Sequence, residues 1–216
     1  MKSRFFSASI HVFAVIFFSA LSSFAQGQPP AERPVPPAPS SLQNLAQPSP
    51  GAKTPSPAEK YFSDVELINQ DGQKMRFYSD VLKGKVVIIN TFFATCTSVC
   101  PPMNRNLEKI QEALGDRLGK DAFLVSISVD PEMDTPPRLK DYSRRFHARP
   151  GWIFLTGKKE NLDWALYKLG QYVERKDDHT TIIIIGNEPK GLWKKAFGLA
   201  KPDELMKIVE DVLNDR

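Results

Sequence analysis

Cysteine is nearly absent from this chain of 216 residues, which contains only Cys96 and Cys100. Because neither lies near the N-terminus, attachment of a lipid to a cysteine there is excluded. The sequence also has no heptad pattern, no internal repeat and no glycine-rich loop of the kind that holds phosphate. Histidine is almost as scarce, since only His147 and His179 occur after the first 25 residues. Any thiol or imidazole chemistry therefore depends on these few side chains.

An excess of one charge sign is also missing from the part of the chain that can fold. Four of the 29 basic residues and one of the 25 acidic residues precede residue 58, so the remainder has a formal charge of +1. Nucleic-acid binding needs a strongly basic face. This near neutrality argues against a nucleic-acid partner.

The first 25 residues have the pattern of a targeting segment. Lys2 and Arg4 precede an apolar run over about residues 10–21, and residues 23–25 have the small-x-small form of a cleavage site. An uncleaved membrane anchor is the alternative, because residues 5–24 are nearly long enough to span a bilayer. Under either interpretation we expect an exported, periplasmic protein, and under the second one that is anchored to the inner membrane.

Residues 26–58 have the composition of a linker. They contain ten of the chain's 18 prolines and almost no large apolar residues. Such a segment cannot bury enough apolar surface to offset the entropy lost on ordering, and it favours extended conformations. We therefore predict a proline-rich disordered linker that ends where a globular domain, residues 59–216, begins.

The globular part alternates apolar strands with amphipathic helices. The Asp71-Gly72 pair predicts a hairpin near its start, and a second hairpin is predicted near its end. Between them, helices that connect consecutive strands imply parallel strand pairs, while the hairpins add antiparallel ones. Strands are predicted at 65–68, 74–77, 86–91, 122–129, 152–157, 180–185 and 192–197, and helices at 103–114, 134–146, 161–169 and 202–213. This order predicts an α/β, thioredoxin-like fold: a mixed central sheet with helices on both faces and an extra N-terminal hairpin.

The two cysteines lie where a buried strand is predicted to end and a helix to begin. Pro101 and Pro102 suit the first turn of a helix, where a missing N–H group costs no hydrogen bond. The positive end of the helix dipole favours the thiolate, which is both a nucleophile and a metal ligand. Sites in sheets of this kind lie beyond the carboxyl ends of the strands. Chemistry is therefore expected at this turn.

Three interpretations of the cysteine pair are open. A structural disulfide is the least favoured, because the loop between Cys96 and Cys100 is so short that closing it hardly constrains the unfolded chain. In a catalytic redox dithiol, Cys96 would attack a substrate disulfide and Cys100 would resolve the mixed disulfide. In a metal site, the two soft sulfurs would select Cu(I) first and Zn(II) second, and a third ligand would be needed.

Histidine is the natural third ligand, and the two candidates differ. His147 lies among cations at a predicted helix end, where a capping or solvated role is expected. His179 directly precedes the isoleucine-rich strand, and the loop that enters this strand of a thioredoxin-like sheet faces the cysteine turn. A loop histidine can equally be solvated, but this position favours His179 as a ligand.

Four short segments together resemble the Sco/SenC family. They are Phe92-x-x-Thr95-Cys96-x-x-x-Cys100-Pro101, Ser128-Val129-Asp130-Pro131-x-x-Asp134-Thr135-Pro136, Phe154-Leu155-Thr156-Gly157 and Asp178-His179-Thr180. Members of this family are thioredoxin-fold copper proteins that help to assemble the dinuclear copper centre of cytochrome c oxidase. The resemblance implies copper as the metal and Cys96, Cys100 and His179 as its ligands, with Asp130 giving electrostatic support or contacting the partner. Asp130 can equally be a turn residue at the end of a strand.

The sequence departs from the family pattern at two places. Thr97-Ser98 stands between the cysteines where the family commonly has Cys-Pro-Asp-x-Cys, and the strand after His179 ends in Ile185-Gly186-Asn187 rather than in an acidic turn. Losing an acidic residue beside the sulfurs should alter the thiol pKa values and the redox potential.

The resemblance implies an exported copper metallochaperone whose partner is the copper-bearing subunit of cytochrome c oxidase. The alternative, from the same residues, is a periplasmic thiol–disulfide oxidoreductase that uses the Cys96/Cys100 dithiol. A thiol reductant would be a further partner of either.

Overall fold

A computed structural model describes residues 56–215, which begin with a short helix that the sequence analysis did not predict. Helix α1 spans Pro57–Phe62, and the hydroxyl of Ser56 caps it by accepting the N–H of Glu59 at 3.1 Å. The predicted signal peptide or anchor, and nearly all of the predicted linker, lie outside the described residues. Within residues 56–215 no helix has the length and apolar character needed to cross a membrane.

Seven strands form one mixed sheet in the order β2-β1-β5-β4-β3-β6-β7. Strands β3, β4 and β5 pair in parallel, whereas the β1–β2, β1–β5, β3–β6 and β6–β7 pairs are antiparallel. The strands are β1 Glu66–Asn69, β2 Lys74–Arg76, β3 Val86–Phe92, β4 Ala122–Ser128, β5 Trp152–Thr156, β6 Ile182–Asn187 and β7 Leu192–Phe197. The predicted thioredoxin-like plan, including the N-terminal hairpin, is confirmed.

Helices cover both faces of the sheet. Besides α1, they are α2 Cys100–Leu114, α3 Pro136–Arg144, α4 Lys159–Lys168 and α5 Pro202–Asn214, and a π-helical segment spans Phe77–Leu82. Alternate residues of a strand point to opposite faces. In β3, Val86 and Ile88 accordingly pack with α2, α3 and α5, while Val87 and Ile89 pack with α1, the π-helical segment and α4. Every residue of β3 is buried, which makes this strand the rigid base of the cysteine turn.

Two element boundaries differ from the prediction in ways that affect the site. Helix α2 begins at Cys100 itself rather than at Met103, so this cysteine is the first helical residue. Strand β6 begins at Ile182 rather than at Thr180. His179 therefore belongs to a loop, directly after the one-turn 3-10 helix Lys176–Asp178.

Gly186, at one of the departures from the family pattern, lies beneath the indole of Trp193, its partner in the β6–β7 register. A Cβ atom at this position would overlap the indole ring.

We expect Gly186→Ala to lower the free energy of unfolding by about 1–3 kcal/mol through overpacking, as measured by urea denaturation. In a Trp193→Leu background the same change should cost less, and an equal cost in both backgrounds would contradict this explanation.

Candidate metal centre

The three predicted ligands converge beyond the carboxyl end of β3. The sulfur atoms of Cys96 and Cys100 and a ring nitrogen of His179 all lie within 4.8 Å of one another. The Sγ atom of Cys100 is 3.0 Å from Nε2 of His179, although the two residues are 79 positions apart in the chain. Cys96 and His179 are each 8% exposed and Cys100 is fully buried. The site is therefore compact and opens to solvent only through two of its members.

Strand direction explains why these residues meet. Cys96 follows β3, and Cys100 opens α2. Strand β6 runs antiparallel to β3, with Ile184 opposite Ile89, so β6 begins at the edge of the sheet where β3 ends. The loop that carries His179 into β6 is thus placed over the cysteine turn.

The two thiols differ in acidity. Burial raises the pKa of Cys96, but hydrogen bonds from the thiol and N–H of Cys100 and from Ser98 outweigh burial, so that its pKa lies below the ordinary value. The pKa of Cys100 is raised well above the ordinary value, by burial first and then by its hydrogen bond to Cys96. In the reduced protein Cys96 is therefore the better thiolate, and Cys100 holds its proton.

The residues between the cysteines contribute to this difference. The hydroxyl of Ser98 lies 3.7 Å from the sulfur of Cys96 and can donate to it. A hydroxyl donor favours the thiolate, whereas an acidic side chain in this loop would disfavour it. Ser98 thus contributes to the lowered pKa of Cys96.

The imidazole of His179 is held by packing. Its ring lies 5.3 Å from the ring of Phe93, between centroids, at an interplanar angle of 58°. Its Nδ1 atom is buried and has no hydrogen-bond partner among residues 56–215. Metal-binding histidines usually donate this second N–H to a fixed acceptor, which Nδ1 of His179 lacks in the described part of the chain. The other nitrogen, Nε2, faces the two sulfurs. The donor set of two thiols and one imidazole therefore fits a single soft metal ion.

Asp130 lies outside this group of donors and supports it through Lys176. Its carboxylate accepts a hydrogen bond from Nζ of Lys176 at 2.7 Å. The same ammonium lies 5.3 Å from the centroid of the Phe93 ring, and the backbone carbonyl of Lys176 accepts the N–H of His179 at 3.2 Å. Asp130 thus fixes the turn that presents His179, a geometry that favours the predicted supporting role.

Asp134 has a role that the sequence analysis missed. The helix predicted at 134–146 implies an N-cap at Asp134 or Thr135, and Thr135 occupies this position, without a side-chain hydrogen bond. The fully buried carboxylate of Asp134 instead accepts the N–H of Ala94 at 3.1 Å and the hydroxyl of Ser128 at 2.6 Å. Because Ala94 lies two residues before Cys96, Asp134 fixes the start of the cysteine loop. Its position in the Asp-Pro-x-x-Asp-Thr-Pro motif was the available signal.

A network of buried side-chain hydrogen bonds, which the sequence did not predict, anchors the first turns of α2 to the sheet. The side-chain amide of Asn90 in β3 donates to Asn104 in α2 at 3.0 Å, and Asn104 donates to the hydroxyl of Tyr142 at 2.9 Å. On the other side, Ser126 donates to the carbonyl oxygen of Asn90 at 2.7 Å and accepts from the indole of Trp152 at 3.0 Å. Asn104 lies one turn after Cys100, so this network of hydrogen bonds fixes the distance of the Cys100 sulfur from the sheet.

His147 lies outside the site. Its side chain is 78% exposed, and Nδ1 lies 2.5 Å from a carboxylate oxygen of Glu108. Of the capping or solvated role predicted for His147, the structure shows an exposed residue at a helix end whose ring is paired with Glu108, and His147 provides a natural control for His179.

Comparison with known proteins places these features in one family. The family model described as SCO1/SenC matches residues 53–214. An SCO2-like protein of Rickettsia conorii is 38% identical over 163 residues, which are 70% of this chain and 77% of the relative. Copper-bound ScoI of Bradyrhizobium japonicum aligns with a TM-score of 0.57 and 26% identity, over 68% of this chain and 96% of that one. BsSco, described as a member of the Sco family of cytochrome c oxidase assembly proteins, aligns with a TM-score of 0.58 and 25% identity, over 70% of this chain and 92% of that one.

The matched region contains the complete sheet and all three converging side chains. The resemblance predicted from the cysteine, Asp-Pro and Asp-His-Thr segments is confirmed, and the chain belongs to the SCO1/SenC family.

Proposed function

We propose that this protein binds copper at Cys96, Cys100 and His179 and delivers it to the assembling copper centre of cytochrome c oxidase. The convergence of two sulfurs and one imidazole nitrogen within 4.8 Å carries this proposal. Sulfur ligands favour Cu(I) over harder ions. A solved relative holds copper, and another is described as a cytochrome c oxidase assembly protein.

Delivery proceeds by stepwise exchange of ligands. Cys100 is fully buried, whereas Cys96 and His179 keep some exposure. A ligand of the acceptor therefore replaces Cys96 or His179 first, and Cys100 releases the ion last. The acceptor in this proposal is the copper-bearing subunit of the oxidase, and the reaction takes place in the periplasm after export of the chain.

The experiment that tests this proposal measures copper uptake and reductase activity on one preparation of reduced protein. We expect one Cu(I) to bind per chain, with little reduction of a general disulfide substrate such as insulin. A protein that binds no Cu(I) and reduces insulin rapidly would overturn the proposal in favour of the redox alternative.

Thiol–disulfide exchange is a second candidate, favoured by the unequal acidity of the two thiols. The Cys96 thiolate would attack a substrate disulfide and release one substrate thiolate. Cys100, after losing its proton, would then attack the sulfur of Cys96, release the second substrate thiol and leave a Cys96–Cys100 disulfide. A thiol reductant would restore the dithiol and would itself be oxidised.

Alkylation of the reduced protein tests the assignment of Cys96 as the attacking thiolate. Cys96 should react first, with a midpoint pH below that of an ordinary thiol, and earlier reaction of Cys100 would contradict the assignment.

The contact between Lys176 and Asp130 should affect copper binding through the position of His179. Lys176→Met removes the ammonium but keeps the length of the side chain. We expect about two- to fivefold weaker Cu(I) binding and similarly faster amide exchange over residues 175–181 of the copper-free protein, as for loss of a partly exposed ion pair.

Two further variants make this prediction specific. Lys176→Arg should preserve both properties, because arginine can still reach the carboxylate. Lys140→Met breaks another ion pair between distant segments, with Asp71 at 2.9 Å, whose members lie on neither the cysteine loop nor the loop of His179. Unchanged amide exchange in Lys176→Met, or an equal effect of Lys140→Met, would refute the supporting role.

A further inference from the structure

A cleft of about 320 Å³ opens beside the cysteine loop. One wall is formed by Ala94 and Thr95, which lead directly into Cys96, and the other by helix α3 and the residue after it. The α3 side of the cleft comprises Pro137, Arg138, Asp141, Tyr142 and Arg145. A ligand bound here therefore contacts the segment that leads into Cys96, the more accessible of the two thiols.

Two guanidinium groups in this cleft have no carboxylate partner. Within residues 56–215, neither Arg138 nor Arg145 takes part in any of the ion pairs of the structure. Arg138 makes one long hydrogen bond, of 3.4 Å, to the carbonyl of Met133, and the Arg145 guanidinium lies 5.7 Å from the centroid of the Tyr142 ring. The acidic residue of the lining, Asp141, is already paired with Arg144 at 2.9 Å. The cleft thus offers two exposed cations for binding an anionic partner.

We infer that this cleft binds an acidic, extended segment of the protein with which the thiol site exchanges copper or a disulfide, an inference that rests on the proposed function. Arginine binds carboxylates through paired, charge-assisted hydrogen bonds. Arg138 and Arg145 are seven positions apart, which is about 10 Å along a helix at 1.5 Å per residue. Two carboxylates three residues apart in an extended, polyproline II-like chain lie on the same side of it about 9 Å apart, which matches this spacing.

The inference is testable on copper-free, reduced protein with short synthetic peptides. Each peptide carries one cysteine activated as a mixed disulfide with 2-thiopyridine, flanked by two glutamates, two serines or two lysines at the spacing given above. The Cys96 thiolate attacks the peptide sulfur, forms a protein–peptide disulfide and releases pyridine-2-thione, whose absorbance gives the rate. The proton of Cys100 and the identity of the metal play no part in this first step.

We expect the glutamate peptide to react about tenfold faster than the serine peptide at low salt, and this preference to shrink as salt is added. The double variant Arg138→Gln/Arg145→Gln should abolish the preference while leaving the rate of the serine peptide unchanged. Lys120→Gln/Lys207→Gln is the matched control, because it removes two exposed cations that do not line the cleft, and it should keep the preference.

Equal rates for the glutamate and serine peptides in the wild-type protein would overturn the inference. So would an equal loss of preference in Lys120→Gln/Lys207→Gln, since that result would reflect net charge rather than the cleft. A slower serine peptide in the double variant would show damage to the cysteine loop and would likewise count against a docking role. Failure to bind copper would leave these rates unaffected, so the two proposals fail separately.

Discussion

Replacing His179 with alanine is expected to weaken Cu(I) binding by about 100-fold or more. Loss of a group that only supports a metal ligand typically costs 10- to 100-fold in affinity, and His179 is assigned here as a ligand. The Nε2 atom already lies 3.0 Å from the sulfur of Cys100, so no rearrangement is needed for it to join the two sulfurs on one ion. Competition with a chromogenic Cu(I) chelator in anaerobic buffer measures the change.

His147→Ala provides the matched control for this experiment. The exposed His147 ring contacts Glu108 and lies outside the group of three donors. We expect its removal to leave Cu(I) affinity unchanged. If His179→Ala bound Cu(I) as tightly as the wild-type protein, the copper site would consist of the two sulfurs alone. That result would favour thiol–disulfide exchange as the function.

Replacing Asp134 with alanine should have the largest effect on folding among the residues around the site. The substitution leaves the partly buried N–H of Ala94 and the buried hydroxyl of Ser128 without their acceptor. Each such group costs about 1–3 kcal/mol, so we expect a loss of about 2–4 kcal/mol in the free energy of unfolding. Urea denaturation measures this loss, and faster alkylation of Cys96 should accompany it because the loop is released.

Asp134→Asn separates the hydrogen bonds from the charge. Burial raises the pKa of Asp134 above 3.8, and its hydrogen bonds only partly oppose this. A carboxyl whose pKa is raised on folding stabilises the folded state when it is protonated, so its contribution grows as the pH falls through the raised pKa and is complete below the unfolded value. The stability of the wild-type protein relative to Asp134→Asn should therefore increase between neutral pH and about pH 4. A difference that does not change with pH would contradict this account of Asp134.

The sequence was sufficient to predict the elements that carry the site. A run of β-branched residues at Val86–Ile89, followed by Pro101-Pro102, indicates a strand and then a helix, because both signals are local. The meeting of His179 with the cysteines was predictable because strand order and direction follow from the α/β alternation. Local signals and a known topology together were enough to identify the three side chains as neighbours.

The supporting residues could not be predicted in the same way. Asp134 has an acceptable local role as a helix cap, and only the position of Ala94, 40 residues earlier, gives its carboxylate a better one. Lys176 looks like one charge among several in a polar turn, until the fold places Asp130 and Phe93 beside it. Helix α1 follows a proline-rich stretch whose composition hides the Ser56 cap. For Asp134 and Lys176, a contact between distant segments outweighs the local preference.

X-ray absorption spectroscopy at the copper edge, on reduced protein loaded with one equivalent of Cu(I), tests directly whether Cys96, Cys100 and His179 form one copper site. We expect two sulfur ligands and one imidazole nitrogen per copper in the wild-type protein, with the nitrogen lost in His179→Ala and kept in His147→Ala. A copper bound by sulfur alone in the wild-type protein, or the same spectrum in His179→Ala, would contradict this assignment.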